Sequence, residues 1–122
     1  MSDPTFVLLY VANAGASARF YADLLGKAPI EASPTFAMFA LESGVKLGLW
    51  GADGVVPEAT PVGGSELGFV VPDVAAVHDC HARWQAAGLR IVQAPEALDF
   101  GFTFTALDPD GHRLRVFAPG AD

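Results

Sequence analysis

The chain has 122 residues, of which 52% are hydrophobic, and its formal net charge is -7 at pH 7. This length predicts a single domain, and this hydrophobic content excludes an intrinsically disordered chain. The acidic balance disfavours nucleic acid and membranes as partners, because both attract clustered basic residues and the seven present are scattered.

Cysteine content and hydropathy add two constraints. Cys80 is the single cysteine, which excludes an internal disulfide. No apolar run approaches the ~20 residues of a membrane-spanning helix, and no charged-then-apolar leader opens the sequence. We therefore expect a cytoplasmic protein.

The first elements in chain order are a strand and a helix. Residues 6–11 place apolar side chains on both faces, so a strand covered on both sides is expected. Asn13 suits the start of a helix over residues 14–25, which has apolar positions at helical spacing. Gly26 is a typical residue just past a helix end.

Extended structure follows this helix. Two short strands are predicted within residues 31–41, separated at Ser33 and Pro34. A turn at 42–44 leads into a strand over 45–50. Residues 51–64 are rich in glycine and proline without periodicity, which predicts a linker. A linker of this length in a compact domain is typical of a loop with a task, such as closing over a site.

The second half repeats this order. Residues 65–71 predict a buried strand, and Asp73 suits the start of a helix over 74–87 that Gly88 ends. The helix is expected to bury one stripe of side chains. Its members are Val74, Val77, Cys80 or His81, and Trp84.

The chain closes with three further extended segments. Residues 90–94 predict a strand that Pro95 interrupts, and 100–107 is rich in the Phe and Thr that suit a pleated surface. Asp108–Gly111 is a turn, since Pro presets φ and Gly supplies a positive φ. Residues 112–117 predict the last strand.

Strand, helix and three strands thus occur twice, which predicts an α+β fold of two βαβββ modules in one domain. Module 1 covers about 5–50, the linker 51–64, and module 2 about 65–118. One face of each sheet must be covered by its helix, and the other should line the inside of a curved sheet. The side chains expected on that inner face are Phe6, Tyr10, Trp50, Glu66, Arg115 and Phe117.

Three stretches resemble the motifs of one known family. They are Val11-x-Asn13 followed by Ser17-x-x-Phe20-Tyr21-x-x-Leu24-Leu25-Gly26, then Val71-x-Asp73-Val74, and Leu107-Asp108-Pro109-Asp110-Gly111. In this order and spacing they resemble the vicinal oxygen chelate superfamily of glyoxalase, bleomycin-resistance and ring-cleaving dioxygenase proteins. The resemblance covers nearly the whole chain. It implies two βαβββ units whose mixed sheets form a cup, usually within a homodimer.

The resemblance also implies where a metal would bind. Enzymes of the family hold a divalent cation with His and Glu side chains at four strand positions, which fall here on Phe6, Gly48, Glu66 and Arg115. A transition-metal site needs three or more N, O or S ligands, and Phe and Gly offer none. Arg115 adds a permanent positive charge where the cation would sit. We therefore expect no metal and no cofactor.

The predicted inner surface suits a planar aromatic ligand instead. Aromatic side chains can stack on its ring, and charged side chains can orient its polar edge, a guanidinium pairing well with a carboxylate. The strand Leu47-Gly48-Leu49-Trp50 and the acidic Glu66 are most similar to the metal-free phenazine-resistance type of the family. We expect the ligand-binding residues to be Phe6, Tyr10, Lys46, Gly48, Trp50, Glu66, Arg115 and Phe117, with Arg113 nearby.

The predicted function is therefore non-catalytic sequestration of a phenazine- or bleomycin-like antibiotic in a cup at a homodimer interface. Four alternatives stay open. A metalloenzyme of the glyoxalase or dioxygenase type could use displaced ligands. A metal-free enzyme could use Glu66 as a base, because an apolar cup raises a carboxylate pKa. Trp50 could also be core, and Glu66 could form a purely structural pair with Arg115.

One further cluster looks like a metal site at first sight. His78, Cys80 and His81 are close in sequence, but on a helix residues 78 and 81 share a face while 80 points elsewhere. We interpret this stretch as a half-exposed helix face.

Overall fold

The computed structural model describes residues 5–59 and 61–120. The chain divides into two compact units, one up to Gly63 and the other from Gly64. Each contains one helix and one mixed four-stranded sheet, which confirms the predicted α+β class. In the described part of the chain, no helix is both long and apolar enough to traverse a bilayer.

The first unit follows the predicted order. Its elements are β1 (Phe6–Val11), α1 (Ala14–Leu25), β2 (Glu31–Ala32), β3 (Phe36–Ala40) and β4 (Lys46–Gly51), followed by a 3-10 turn (Ala52–Gly54). The strands lie in the order β1-β4-β3-β2, with β1 parallel to β4 and the other neighbours antiparallel. The linker predicted from residue 51 therefore starts with the last residue of β4 and one ordered turn.

The second unit has the same plan. Its elements are β5 (Glu66–Val70), α2 (Val74–Ala86), β6 (Arg90–Leu98), β7 (Gly101–Leu107) and β8 (Arg113–Pro119). They pair in the order β5-β8-β7-β6, with β5 parallel to β8. The registers are equivalent as well, since Phe6 lies beside Lys46 and Glu66 beside Arg113. The internal repeat read from the sequence is thus a structural repeat.

Both helices begin with the side-chain caps that the sequence predicts. Asn13 Oδ1 accepts a hydrogen bond from the backbone N–H of Ala16 at 2.9 Å, and Asp73 Oδ1 accepts one from Ala76 at 2.8 Å. These bonds satisfy N–H groups that a helix start leaves without an intrahelical partner. Gly26, with φ of 67°, terminates α1 in the left-handed region that glycine adopts most easily.

Each helix covers one face of its own sheet. In the first unit α1 packs on β3 and β4, where the large buried side chains are Tyr21, Phe39 and Leu49. In the second unit α2 packs on β6, β7 and β8, and its core contains Val77, Cys80, Phe104, Ala106, Val116 and Ala118. The opposite face of each sheet is left for the side chains that the sequence assigns to a site.

A histidine holds the start of β5 beside β8. Ser65 Oγ lies 2.6 Å from Nδ1 of the buried His112, and the backbone N–H of Arg113 donates to the Ser65 carbonyl. Asp108 Oδ1 accepts from the backbone N–H groups of Asp110 and His112, as expected for the predicted turn. This contact aligns Glu66, the next residue, with the β8 residues beside it.

Four expectations need correction. The strand at 65–71 is not buried, because β5 is an edge strand and none of its residues is fully covered. Pro95 does not end β6, which continues to Leu98. The strand β6 is also an edge strand, and its pairing shifts register between Gln93 and Glu96, so a proline, which has no backbone N–H, is tolerated there.

Val74 is exposed at the first position of α2. The buried stripe of α2 consists of Val77 and Cys80, with half-buried His81 and Trp84. In β1 only the second half is covered, since Phe6, Val7 and Leu8 are exposed.

Candidate functional site

The first unit carries a row of aromatic side chains on the sheet face opposite α1. Tyr10 lies beside Trp50 across β1 and β4, and Trp50 lies beside Phe36 across β4 and β3. The ring centroids are 6.3 Å apart for Tyr10 and Trp50 and 6.4 Å for Phe36 and Trp50, both edge to face. We call Tyr10, Trp50 and Phe36 the ring row. All three are half-buried, so part of each ring is accessible.

Gly48 makes room for apolar side chains beside this row. A Cβ at position 48 would collide with Leu8 Cδ2 and lie 3.3 Å from the Phe36 ring. Because glycine has no side chain, Leu8 and Phe36 can cover the middle of the sheet at this position. The family position that resemblance associates with a metal-binding Glu is thus filled by neighbouring apolar groups.

Lys46, the first residue of β4, adds a positive charge on the same face. Lys46 Nζ is 5.4 Å from the centroid of the Phe6 ring, within the range of a cation–π contact. Phe6 is 52% exposed, so this ring offers surface to a ligand or to another chain rather than to the core of its unit. The structure therefore places Phe6, Tyr10, Lys46, Gly48 and Trp50 on one face of one sheet, as the alternation predicts.

The second unit carries a polar cluster on the face opposite α2. Arg115 Nε donates to Glu66 Oε2 at 3.1 Å. Arg115 Nη1 donates to Gln93 Oε1 at 3.1 Å and to Thr103 Oγ1 at 3.3 Å. Gln93 Oε1 also accepts from Thr105 Oγ1 at 2.8 Å. We call Glu66, Gln93, Thr103, Thr105 and Arg115 the polar cluster.

Burial within the polar cluster is uneven. The Arg115 side chain is 15% exposed and the Glu66 side chain 41% exposed. An ion pair with one partner this open to water stabilises a fold by about 0–1 kcal/mol. The pair therefore shapes the charge of this surface more than it stabilises the unit. Within its own unit, the Glu66 side chain is therefore partly open to water.

Two aromatic rings border the polar cluster. The Arg115 guanidinium lies 5.5 Å from the Phe100 ring centroid, and Phe100 meets Phe117 edge to face at 5.7 Å. Phe100 sits in the turn between β6 and β7 and is 46% exposed. The second unit thus combines a charged pair, a neutral amide and an accessible aromatic wall on one face.

Five residues of these surfaces were not among the expected site residues. They are Phe36, Gln93, Phe100, Thr103 and Thr105. The sequence could have placed Thr103 and Thr105 on the face opposite α2, because they alternate with Phe104, which is buried under that helix. Gln93 lies between two register shifts within β6 and Phe100 lies in the turn after that strand, so the alternation of a regular strand assigns neither side chain to a face.

Arg113 is a strand neighbour of Glu66 but forms no hydrogen bond or ion pair with the polar cluster in the part of the chain that the structure describes. It is exposed at the start of β8 and pairs in register with Glu66 and Leu107. Arg115 is the arginine that contacts Glu66.

The histidines of α2 pack on aromatic rings. The His78 ring lies 5.1 Å from Phe102, and the His81 ring lies 5.2 Å from Phe104. Cys80 is buried in the core, and its burial raises the pKa of the thiol above the ordinary 9.0. Among residues 5–59 and 61–120, no group of three or more His, Cys, Asp or Glu side chains is placed to hold a metal ion.

Comparison with known proteins links the chain to one superfamily. The family model for the Glyoxalase/Bleomycin resistance protein/Dioxygenase superfamily matches residues 4–116. A curated relative is the phenazine antibiotic resistance protein EhpR of Enterobacter agglomerans, 29% identical over 116 residues, which are 93% of this chain and 89% of that protein.

Solved structures agree with this match. The solution structure of protein ATC0852 from Agrobacterium tumefaciens is 49% identical, with a TM-score of 0.91, over 99% of this chain and 100% of that one. A glyoxalase-related enzyme from Fulvimarina pelagi is 26% identical, with a TM-score of 0.83, over 100% of this chain and 95% of that one.

Proposed function

The chain belongs to the Glyoxalase/Bleomycin resistance protein/Dioxygenase superfamily, and from this premise we propose that it binds a planar aromatic small molecule without transforming it. The ligand class is a phenazine- or bleomycin-like antibiotic, and the function is its sequestration, carried out by a homodimer. The observation that carries this proposal is the row of partly accessible rings on the helix-free face of the first sheet, together with exposed Phe6 at one position where the resemblance implies a metal ligand.

Stacking on aromatic rings can supply affinity for a planar ligand. The ring row and Phe6 expose aromatic surface on one sheet face of the first unit. Aromatic pairs in offset or edge-to-face contact contribute about 0.5–1.5 kcal/mol beyond the area that they bury. Several such contacts would hold a flat, multi-ring ligand with no covalent step.

Polar side chains of the second unit can recognise the substituents of such a ligand. Glu66 and Arg115 supply charged groups, and Gln93 a neutral amide, beside the Phe100 and Phe117 rings. Apolar walls with a few oriented polar groups are the usual composition of small-molecule sites. The name of the 29% identical relative, a phenazine antibiotic resistance protein, supports the choice of phenazines as the first ligands to test.

Tryptophan fluorescence tests the proposal. Trp84 packs against Phe69 and Phe104 on the α2 side of the second sheet, whereas Trp50 belongs to the ring row. In Trp84→Phe, titration with phenazine is expected to quench the Trp50 signal at micromolar ligand. Trp50→Ala should weaken phenazine binding by about tenfold, the equivalent of one lost stacking contact.

The reciprocal variant is the matched control. Trp50→Phe leaves only Trp84, which should show little quenching because its ring packs against Phe69 and Phe104 on the helix side of its own sheet. An absence of saturable quenching in Trp84→Phe at high micromolar phenazine, with the protein folded, would contradict the proposed function.

A further inference from the structure

We infer that the polar cluster selects ring ligands with a neutral substituent that both donates and accepts hydrogen bonds, such as a carboxamide, and rejects ligands with a carboxylate. This inference rests on the proposed function and specifies which members of the ligand class bind. It also revises the expectation that the guanidinium of Arg115 is free to pair with a ligand carboxylate.

The protein uses only some of the hydrogen-bond donors of Arg115. A guanidinium has five N–H donors, and three of those of Arg115 are used, one by Glu66, one by Gln93 and one by Thr103. Nε and Nη2 of an arginine present parallel donors that a carboxylate usually takes together. Glu66 takes only Nε, so Nη2 has no hydrogen-bond partner within the described residues. A ligand acceptor can use it.

Glu66 offers a hydrogen-bond acceptor next to this donor. Its Oε2 accepts from Arg115, while Oε1 accepts from no group in the part of the chain that the structure describes. With 41% of the side chain exposed, this oxygen is accessible to a ligand. A carboxylate ligand on Nη2 would bring a second negative charge beside Glu66, whereas a carboxamide would give its N–H to the same oxygen.

Gln93 adds a fixed donor. The atom 3.1 Å from Arg115 Nη1 must be the amide oxygen, because a guanidinium can only donate. Thr105 Oγ1 donates to the same oxygen, which holds the amide in one orientation. The amide nitrogen therefore points away from both donors. The cluster as a whole is neutral, with donors from Arg115 and Gln93 and one acceptor from Glu66.

Two phenazines of equal size test this inference. Phenazine-1-carboxamide and phenazine-1-carboxylate differ by one charge, since the acid is fully ionised at about pH 8. For the wild-type chain we expect the carboxamide to bind at least about tenfold more tightly, because the carboxylate would place a like charge beside Glu66. Equal affinities, or a preference for the carboxylate, overturn the inference.

Glu66→Gln separates charge from shape. It keeps the hydrogen bond from Arg115 Nε but leaves the cluster with a net positive charge, so we expect the carboxylate to gain at least about tenfold in affinity and the carboxamide to change little. Glu42→Gln, in the exposed turn before β4, removes the same charge elsewhere and should leave the order of affinities unchanged. A Glu66→Gln chain with the wild-type order also overturns the inference.

Unsubstituted phenazine distinguishes this failure from failure of the proposed function. If unsubstituted phenazine binds and the carboxamide is not preferred, the selection by charge is wrong while the aromatic site remains. If none of the three ligands binds, both the proposed function and this inference are wrong.

Discussion

Gly101 shows how one residue can set the position of a site side chain. It has a φ of 148°, and a Cβ there would collide with the backbone carbonyl of Ala118 on the neighbouring strand β8. Backbone cannot move aside as a flexible side chain can. The close approach of β7 to β8 at this point keeps the turn that carries Phe100 beside Phe117.

We expect Gly101→Ala to lower the free energy of unfolding by about 3 kcal/mol, because the side chain meets an unfavourable φ and a backbone collision together. Urea denaturation followed by circular dichroism measures this change. Gly64→Ala is the matched control. A Cβ there meets nothing within 4 Å, and the residue has no positive φ, so its effect should stay below about 0.5 kcal/mol. Equal stability of the two variants would contradict the collision.

The alternation of side chains along strands was sufficient to place single residues on faces. It put Glu66 and Arg115 on the face opposite α2, and the structure joins them with a 3.1 Å ion pair. Alternation could not show that Gln93 takes part, because Gln93 lies where the pairing of β6 shifts register. Side-chain length and the register between strands decide which polar groups contact each other. The order of residues along one strand does not contain this information.

At the scale of elements, the two helices depend on similar caps. Asn13 and Asp73 each accept one backbone N–H from the residue three positions later, and both have extended backbones. These local signals need only adjacent residues, so the start of each helix was predictable to the residue. The strand through Pro95 was not, because tolerance of proline depends on the strand being at the edge of the sheet.

We expect Asn13→Ala and Asp73→Ala each to lower the free energy of unfolding by about 1 kcal/mol, the usual cost of removing a helix cap. The caps lie in different units and share no partner, so the double variant should lose about the sum. Chemical denaturation measures all three values. Asn13→Ser and Asp73→Ser retain a capping oxygen and should stay near wild-type stability. A similar loss in the serine variants would show that the cap hydrogen bond is not the cause.

At the scale of the whole molecule, the repeat of a strand, a helix and three strands was readable because each unit has a side-chain cap at the start of its helix and an equivalent strand register. Repetition also makes the differences between the units informative. The first sheet exposes rings and one lysine on its helix-free face, whereas the second exposes an ion pair, an amide and two rings. The same arrangement of strands and helix thus carries two chemically different surfaces.

These surfaces also bear on whether the chain can hold a divalent metal ion. Of the four positions that the family resemblance associates with a metal, Phe6 and Gly48 offer no ligand atom and Arg115 is a cation already bonded to Glu66. These four positions therefore cannot supply the three ligands that a transition-metal site needs.

We expect the purified chain, incubated with Zn²⁺, Ni²⁺ or Fe²⁺ and then dialysed, to retain less than about 0.1 equivalent of metal by elemental analysis, since a single carboxylate binds these ions weakly. EDTA should leave the affinity for phenazine unchanged, whereas loss of binding in EDTA or one retained equivalent of metal per chain would favour the enzyme.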